Sequence, residues 1–232
     1  MSDAKLALVT GASRGIGAAT AEALAAAGYH VVLTARTAAG LEEVENRIHD
    51  AGGSATIAPL DLTDGDSIGR LAAAISTRWG SLDVLVLNAA MLGTLTPVPH
   101  IDAKEFGRVM TLNVTAQAAL ITAFDPMLRA SPAARIVGLT SSVGADPRAY
   151  WGAYGASKAA FENLLLTYAD ETSTAGRIRI ALLDPGATRT AMRAKAYPGE
   201  DPATLKAPEA VAARIAALLS EDFASGYRER VN

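Results

Sequence analysis

The chain has 232 residues, of which 50% are hydrophobic and 19% are charged, so it can bury a large core. Its formal net charge is -3 and it has no basic stripe, which argues against nucleic acid or anionic membranes as partners. The absence of cysteine excludes disulfides, thiolate catalysis and cysteine metal sites. The start, Met1–Lys5, lacks the features of a signal peptide, and no apolar run is long enough to span a membrane. We therefore expect a cytoplasmic protein.

Short apolar runs alternate with helical patterns along the whole chain. The predicted strands are Lys5–Thr10, His30–Ala35, Ser54–Leu60, Leu82–Leu87, Arg135–Thr140, Arg177–Leu183 and Tyr227–Val231. The predicted helices are Ile16–Ala27, Ala38–Ala51, one capped by Thr63 and running to Trp79, one from the cap Asp102 to Ala130 that bends or restarts near Pro126, Ala153–Ala175 and Pro208–Leu219. This alternation predicts one α/β domain over residues 1–232, a doubly wound parallel sheet with helices on both faces. Ligands are expected beyond the carboxyl ends of its strands.

A glycine-rich turn joins the first predicted strand to its helix. It spans Thr10–Gly17 (TGASRGIG), with the spacing G-x-x-x-G-x-G. Glycines there permit a tight turn and let a pyrophosphate approach the backbone, while the helix N-terminus offers free N–H groups and a positive dipole end. A glycine-rich turn without a ligand is the alternative. The position at the first strand-to-helix turn favours a dinucleotide site.

Tyr154 and Lys158 stand four residues apart in the predicted helix Ala153–Ala175, so they share one helix face. A tyrosine normally loses its proton near pH 10, but a fixed cation beside it favours the phenolate and lowers that pKa. The pair is therefore suited to general acid/base chemistry. The spacing alone is weak evidence, because chance also supplies such pairs, and the surrounding motifs must decide.

Taken in order, these motifs resemble those of the compact short-chain dehydrogenase/reductase family, over essentially the whole chain. Leu87 stands where the family has an asparagine and is expected to turn into the core, and Ala90 stands where the family has a glycine. The resemblance implies a Rossmann-type fold. The matching segments are residues 10–17, Asp61-Leu62, Leu87–Ala90, Asn113, Ser141, Tyr154 with Lys158, and Pro185-Gly186.

The end of the second strand distinguishes between the two nicotinamide cofactors. NAD-selective sites place Asp or Glu there to hold the ribose hydroxyls, whereas this chain has Arg36. Arg36, with Arg14 opposite, can pair with a 2′-phosphate, although two solvated surface arginines are the alternative. The sequence therefore favours NADP(H) over NAD(H). The resemblance implies cofactor contacts from Gly11, Ser13, Arg14, Gly15, Ile16, Gly17, Arg36, Asp61, Leu62, Asn88, Ala89, Tyr154, Lys158, Pro185, Gly186, Thr188 and Thr190.

The catalytic set implied by the resemblance is Asn113, Ser141, Tyr154 and Lys158. Ser141 and Ser142 are adjacent, and successive strand residues point to opposite faces, so only one of them can face the cleft. The 13-residue step to Tyr154 selects Ser141, which would donate to the substrate carbonyl. Asn113 would hold a water that connects Lys158 to solvent. A pair of strand-end serines and a satisfied core amide are the simpler alternatives for these two positions.

The resulting hypothesis is an NADP(H)-dependent oxidoreductase that transfers a hydride between nicotinamide and a carbonyl or secondary alcohol. A catalytically weak NADP-binding regulator on the same fold is the alternative, whereas epimerase or dehydratase chemistry usually needs a larger substrate domain.

We expect no metal, because none of His30, His49 and His100 has a plausible companion ligand. The segment at about 188–207 is expected to be an irregular lid that sets specificity, with Tyr150 and Trp151 as substrate-wall or loop aromatics. A homodimer or homotetramer through the two long helices is the expected assembly.

Overall fold

The computed structural model describes residues 5–232 and contains a seven-stranded, all-parallel sheet in the order β3-β2-β1-β4-β5-β6-β7. The sheet confirms the predicted doubly wound α/β fold. The central strands are apolar runs buried along almost their whole length, as expected of strands covered on both faces. The strands are β1 Leu6–Thr10, β2 His30–Ala35, β3 Ser54–Pro59, β4 Val84–Leu87, β5 Ala134–Leu139, β6 Ile178–Asp184 and β7 Tyr227–Arg230.

Helices cover both faces of this sheet, and a separate apolar core lies on each side. The helices are α1 Gly15–Ala26, α2 Ala38–Asp50, α3 Gly65–Ser76, α4 Ala103–Met110, α5 Ala116–Ala130, α6 Ser142–Ala145, α7 Gly152–Ser173, α8 Ala191–Ala196 and α9 Pro208–Ser220. One core joins the sheet to α3, α5 and α7, and includes Leu87, which turns inward as predicted. The other core joins the opposite face to α1, α2 and α9. No helix among residues 5–232 combines the length and the apolar character that a membrane crossing requires.

The order of the strands places a crevice next to β1. The chain builds β1, β2 and β3 outward in one direction, then crosses to β4 on the other side of β1, where Val9 pairs with Val86. The connections therefore diverge above the carboxyl ends of β1 and β4, which is where doubly wound sheets bind their ligands. The glycine turn follows β1 and Asn88 follows β4, so both predicted segments open into this crevice.

Helix α3 begins and ends differently from the prediction. Its cap is Asp64, whose carboxylate accepts from the Asp66 N–H, and not Thr63. Thr63 is unavailable because its own N–H and hydroxyl both donate to Asp61. The helix also ends at Ser76, before the predicted limit at Trp79.

The long helical region after Asp102 is interrupted, but not at Pro126. Asp102 caps α4 as predicted, accepting from the Glu105 N–H. The predicted restart near Pro126 is wrong, because α5 runs through that residue to Ala130. The irregular stretch is instead a π-turn, Thr111–Thr115, which separates α4 from α5. Such turns are frequent at functional sites, and this one contains Asn113.

The segment predicted to be irregular contains two ordered pieces. Thr190 caps the short helix α8 by accepting from the Arg193 N–H, and a 3₁₀ turn follows at Pro202–Thr204. The single turn α6, after β5, was also absent from the prediction. A helix of this length has little local sequence signal, so its contacts with the rest of the fold decide whether it forms.

Candidate active site

The glycine turn forms a tight cradle at the start of α1. Gly11 and Gly15 have φ of +66° and +57°, in the left-handed region that favours glycine. At Gly17, a Cβ would lie 2.3 Å from the Gly11 carbonyl oxygen, so no larger residue fits there. The first turn of α1 has no side-chain cap, because Arg14 occupies that position without capping. Its N–H groups therefore remain for an anion, and the cradle fits the pyrophosphate of a dinucleotide.

The end of β4 is bonded directly to this cradle. The Asn88 side-chain amide donates to the carbonyl oxygens of Thr10 at 2.8 Å and Gly11 at 3.3 Å. The Thr10 hydroxyl accepts from the N–H groups of Asn88 and Ala89, each at 3.0 Å. Gln117 donates from below to the Ala89 carbonyl oxygen at 3.1 Å. Both Asn88 amide hydrogens are used in these bonds, so its side chain holds the floor of the crevice and can offer a ligand only its oxygen.

The two predicted arginines lie in the glycine turn after β1 and directly after β2. Arg14 and Arg36 are both exposed, and Arg36 is near enough to help lower the pKa of Asp61. The main cause of that lowered pKa is the pair of hydrogen bonds from Thr63, which occupy one oxygen of Asp61. Within residues 5–232 no protein group donates to the second oxygen, so it can accept from a ligand. Three further predicted contacts lie close to these residues in sequence. Leu62 is buried, and Ser13 packs against α2. Ile16 is partly buried against the core that joins the sheet to α1, α2 and α9.

Tyr154 and Lys158 lie side by side and almost fully buried in α7, with 7% and 3% of their surfaces exposed. The Lys158 ammonium donates to the Leu139 carbonyl oxygen at 2.6 Å and lies 5.7 Å from the centre of the Tyr154 ring. Burial lowers the pKa of Lys158 to about 8. The two residues predicted to act together are therefore neighbours at the carboxyl end of the sheet.

The pKa of Tyr154 departs from the prediction. It lies above the ordinary value for tyrosine, because burial disfavours the phenolate and the Asp184 carboxylate adds a repulsive negative charge. The expected lowering by Lys158 is not found: burial and Asp184 set the direction of the change. Tyr154 is consequently protonated at neutral pH, and a phenolate would require additional positive charge in the crevice.

The two serines lie where β5 ends and α6 begins. Ser141 has an extended backbone, and the N–H of Ser142 donates to Asp184 at 3.1 Å. Both serines line a cavity of about 230 Å³ together with Glu162 and Asp184. Within residues 5–232, neither hydroxyl has a hydrogen-bonding partner in the protein, so each can donate to a ligand. The choice of Ser141 stays a prediction from its spacing to Tyr154.

Asn113 connects three parts of the site. Its side-chain oxygen accepts from the Met91 N–H at 2.8 Å, and its amide donates to the Met91 carbonyl oxygen and the Ser157 hydroxyl, each at 2.9 Å. Met91 belongs to the loop after β4, and Ser157 precedes Lys158. Asn113 therefore fixes that loop against the helix that carries the Tyr154/Lys158 pair.

The chain after β6 returns to the glycine turn. Asp184 accepts from the Gly186 N–H at 2.9 Å, and Thr188, which is buried, donates to the Pro185 carbonyl oxygen at 2.9 Å. The Thr190 methyl carbon lies 3.5 Å from the position of a Cβ on Gly15. Of the predicted contacts Pro185, Gly186, Thr188 and Thr190, the structure brings Thr190 against the glycine cradle, while the other three form the turn that leads to it.

Aromatic residues cover Tyr154 from the outside. The Trp151 ring makes an edge contact with Tyr154 at 5.9 Å and packs on Tyr197 at 5.8 Å. Met192 of α8 packs, like Trp151, on a small apolar cluster that contains Tyr154. Tyr150 is exposed, with φ of +74°, a strained conformation for a residue with a side chain. Trp151 thus fits the predicted substrate wall.

Several supporting residues were not assigned a role from the sequence. Asp184, Ser157 and Gln117 contact predicted site residues, yet none carries a local signal of its own. Asp184 comes directly before Pro185-Gly186, and Thr10 comes directly before the first glycine of the turn. Their adjacency to a motif is the sequence signal that could have indicated a supporting role for Asp184 and for the Thr10 hydroxyl. Tyr197 lies 43 residues from Tyr154 in sequence, and only the packing of the segment after α8 on Trp151 brings it near.

Comparisons with known proteins point to one family. A family model for short chain dehydrogenases matches residues 5–201. A cis-4-hydroxycyclohexanecarboxylate dehydrogenase of Sinomonas cyclohexanicum is 35% identical over 226 residues, covering 94% of this chain and 90% of its own. A short chain dehydrogenase structure from Pseudomonas syringae has a TM-score of 0.95 at 42% identity, covering 98% of this chain and 94% of its own. The structure of a short chain dehydrogenase from Shigella flexneri 2a str. 301, complexed with NADP, has a TM-score of 0.93 at 36% identity. The match covers 98% of this chain and 96% of that one.

Proposed function

The chain belongs to the short-chain dehydrogenase family, and on that premise we propose that it transfers a hydride between NADP(H) and a carbonyl or secondary alcohol. The observation that carries this proposal is the buried Tyr154/Lys158 pair at the crevice that begins with the glycine cradle. A bound nicotinamide would supply the hydride in reduction and accept it in oxidation, and its oxidised form would add a positive charge to the crevice. The residues of the chain position the reactants and handle the proton.

Tyr154 is the proposed general acid and base. In carbonyl reduction, its hydroxyl gives a proton to the forming alkoxide, and its raised pKa keeps that proton available at neutral pH. In alcohol oxidation, the phenolate takes the alcohol proton. Lys158 stabilises that phenolate, because a buried ammonium with a pKa of about 8 remains mostly charged at pH 7.

Ser141 and Asn113 support this chemistry in the proposal. The Ser141 hydroxyl, without a protein partner among the described residues, donates to the reacting oxygen and so favours the alkoxide. Asn113 holds the Met91 loop against α7 and keeps the crevice in shape. A water linking Lys158 to solvent would bind an oxygen of Asn113, because both amide hydrogens are already used.

We assign the preference for NADP(H) to Arg14 and Arg36. Both residues are exposed, Arg14 in the glycine turn and Arg36 directly after β2, where the sequence has no carboxylate to hold a ribose hydroxyl. A 2′-phosphate would be neutralised there by charge-assisted hydrogen bonds. The Shigella flexneri relative, which is complexed with NADP, supports the use of NADP(H).

The proposed substrate class follows from the acid/base pair and from one relative. The dehydrogenase of Sinomonas cyclohexanicum is named for a substrate with a secondary alcohol on a saturated ring. That chemistry is what Tyr154 and a nicotinamide would perform together. We also propose that the protein assembles as a homodimer or homotetramer through α5 and α7.

A reductase screen tests the proposal. NADPH and NADH are supplied in parallel to a panel of ketones, aldehydes and quinones, and the loss of absorbance at 340 nm is followed. The proposal predicts NADPH oxidation with at least one member of the panel, at a higher kcat/KM than with NADH. NADP binding without turnover of any member would favour the regulatory alternative.

A further inference from the structure

Apolar side chains surround Tyr154 on the side away from the sheet core. Leu92, Val143 and Tyr154 form a small buried cluster, and Trp151 and Met192 pack against it. None of the other four offers a charged group to a substrate, so the part of the substrate next to the reacting carbon meets apolar walls. A compact ring or short hydrocarbon fits such walls better than a polyol, whose hydroxyls would lose their hydrogen bonds.

Two arginines approach Tyr197, whose ring packs on Trp151 at the edge of this apolar cluster. The Arg193 guanidinium lies 3.8 Å from the centre of the Tyr197 ring. Arg148 donates to the Tyr197 hydroxyl at 2.5 Å and lies 5.8 Å from the centre of the Trp151 ring. Trp151 in turn contacts Tyr154, so Arg148 is one aromatic ring away from the proposed acid.

The charges of these two arginines are balanced differently. Arg193 is neutralised by Glu200, which accepts two hydrogen bonds at 2.6 and 2.5 Å. Arg148 has no carboxylate within 4.0 Å among residues 5–232. A guanidinium carries five N–H donors, and the bond to Tyr197 uses one. Arg148 therefore keeps an open edge for a carboxylate.

The arginine is also held in place before any ligand arrives. Its contact with the Trp151 ring and its bond to Tyr197 restrict the side chain, although the residue is exposed. A restricted guanidinium loses less freedom when it binds a carboxylate than a free surface arginine does. The site thus pairs an apolar interior with one fixed positive charge at its rim.

We propose that the substrate is a compact apolar ketone or secondary alcohol with a carboxylate at its far end, and that Arg148 binds this carboxylate. The inference rests on the proposed function and deepens it by naming the substrate class. Trp151 and Met192 then select the hydrocarbon portion, while Arg148 selects the charge. Tyr197 acts as a positioning residue that orients Arg148 and ties it to the lid.

Paired substrates test the role of the charge. The probes are 4-oxocyclohexanecarboxylate and its neutral methyl ester, each reduced with NADPH. Arg148→Gln is expected to raise KM for the carboxylate at least about tenfold, because a hydrogen-bonded charge is lost, while kcat stays within about twofold. The ester should be unaffected, Arg148→Lys should recover part of the loss, and the exposed Arg177→Gln serves as the matched control.

A purely structural role for Arg148, as a latch between the lid and α7, would change both substrates alike. Equal effects of Arg148→Gln on carboxylate and ester would therefore overturn the inference. So would a wild-type protein that prefers the ester, or a variant that leaves both substrates unchanged.

A binding measurement separates this inference from the proposed function. The chain has two tryptophans, and Trp79 stacks on His30 at the opposite end of the sheet. Trp79→Phe combined with Tyr154→Phe leaves Trp151 as the fluorescent reporter and removes the proposed acid. Quenching by the carboxylate at lower concentration than by the ester supports the inference even if the wild type shows no turnover, in which case the proposed function alone fails. Quenching by neither, or by both equally, contradicts the inference.

Discussion

At the scale of single residues, Asp184 is the charge that most affects the proposed acid. One carboxylate oxygen accepts from the Ser142 N–H and the other from the Gly186 N–H, so Asp184 ties the end of β6 to the end of β5. Arg230 lies 3.7 Å away and offsets part of its charge. Asp184 nevertheless contributes to the raised pKa of Tyr154, after burial itself.

Asp184→Asn removes that negative charge and keeps one acceptor oxygen. The phenolate of Tyr154 then forms more easily, so the pKa of Tyr154 falls. The rise of kcat/KM with pH in alcohol oxidation should consequently shift to lower pH than in the wild type. The profile is measured on the best alcohol found by the screen, with the exposed Asp170→Asn as control. A shift to higher pH would contradict this account of the Tyr154 environment.

Arg36 is the residue to which we assign most of the proposed preference for NADP(H). Arg36→Gln removes the guanidinium proposed to pair with the 2′-phosphate and leaves the glycine cradle intact. We expect KM for NADPH to rise at least about tenfold, while KM for NADH stays within about twofold. Steady-state kinetics with both cofactors provide the measurement. Equal losses with both would show that Arg36 supports the fold or the common part of the cofactor instead.

At the scale of elements, the turn between β1 and α1 has the narrowest steric tolerance in the proposed site. Gly17→Ala places a methyl group 2.3 Å from the Gly11 carbonyl oxygen and 2.6 Å from the Asn88 amide nitrogen. We expect a loss of about 1–3 kcal/mol in the free energy of unfolding, with weakened NADP binding, because the cradle must move.

A matched change elsewhere controls for the added methyl group. Gly69 lies in α3, and a Cβ there would meet no atom within 4 Å. Gly69→Ala should raise the free energy of unfolding by about 0.5–1 kcal/mol, because alanine favours the helix. Urea unfolding and NADP titration measure both variants. A Gly17→Ala protein with unchanged stability and NADP affinity would contradict the steric account.

The elements also show how far the sequence alone can predict this protein. Strands such as β2 were located to the residue, because a buried parallel strand needs a continuous apolar run and leaves a strong local pattern. The π-turn around Asn113 was not predicted, since its side-chain bonds are to Met91 and Ser157, distant in sequence. Helix α8 was missed for a similar reason: Met192 packs on the cluster above Tyr154.

In the proposed site, too, the features with a local sequence pattern were predicted and those set by distant contacts were not. The glycine cradle and the Tyr154/Lys158 pair depend on residue type and spacing, so the sequence identified them and the structure brings them to one crevice. The raised pKa of Tyr154 depends on burial and on Asp184, which neither spacing nor residue type specifies. The position of Arg148 beside Tyr197 likewise depends on the packing of the lid.

At the scale of the whole molecule, α5 and α7 present a groove suited to a second copy of the chain. A cavity of about 410 Å³ lies between them, lined by apolar residues such as Ala118, Ile121 and Leu164. Arg129 and Glu171 border the same cavity, and their opposite charges can pair across a two-fold axis. This surface is the one we propose for assembly.

Thr122→Asp tests that interface. Thr122 lines the groove and is exposed in the single chain, so its replacement should not disturb the core. Two carboxylates facing each other across a two-fold axis would disfavour association, and we expect a lower molar mass in solution than for the wild type. Size-exclusion chromatography with light scattering measures it, and Asn46→Asp, exposed on α2, is the control with the same added charge. An assembly unchanged by Thr122→Asp would place the interface elsewhere.

The central claim is that Tyr154 transfers the proton that accompanies hydride transfer. Its most direct test is turnover and NADP binding of Tyr154→Phe, which keeps the ring against Trp151 and removes only the hydroxyl. We predict a fall in kcat of at least about 100-fold, the usual contribution of general acid/base catalysis, with the Kd for NADP within about twofold of the wild type. Turnover that survives this substitution at the wild-type rate would contradict the mechanism.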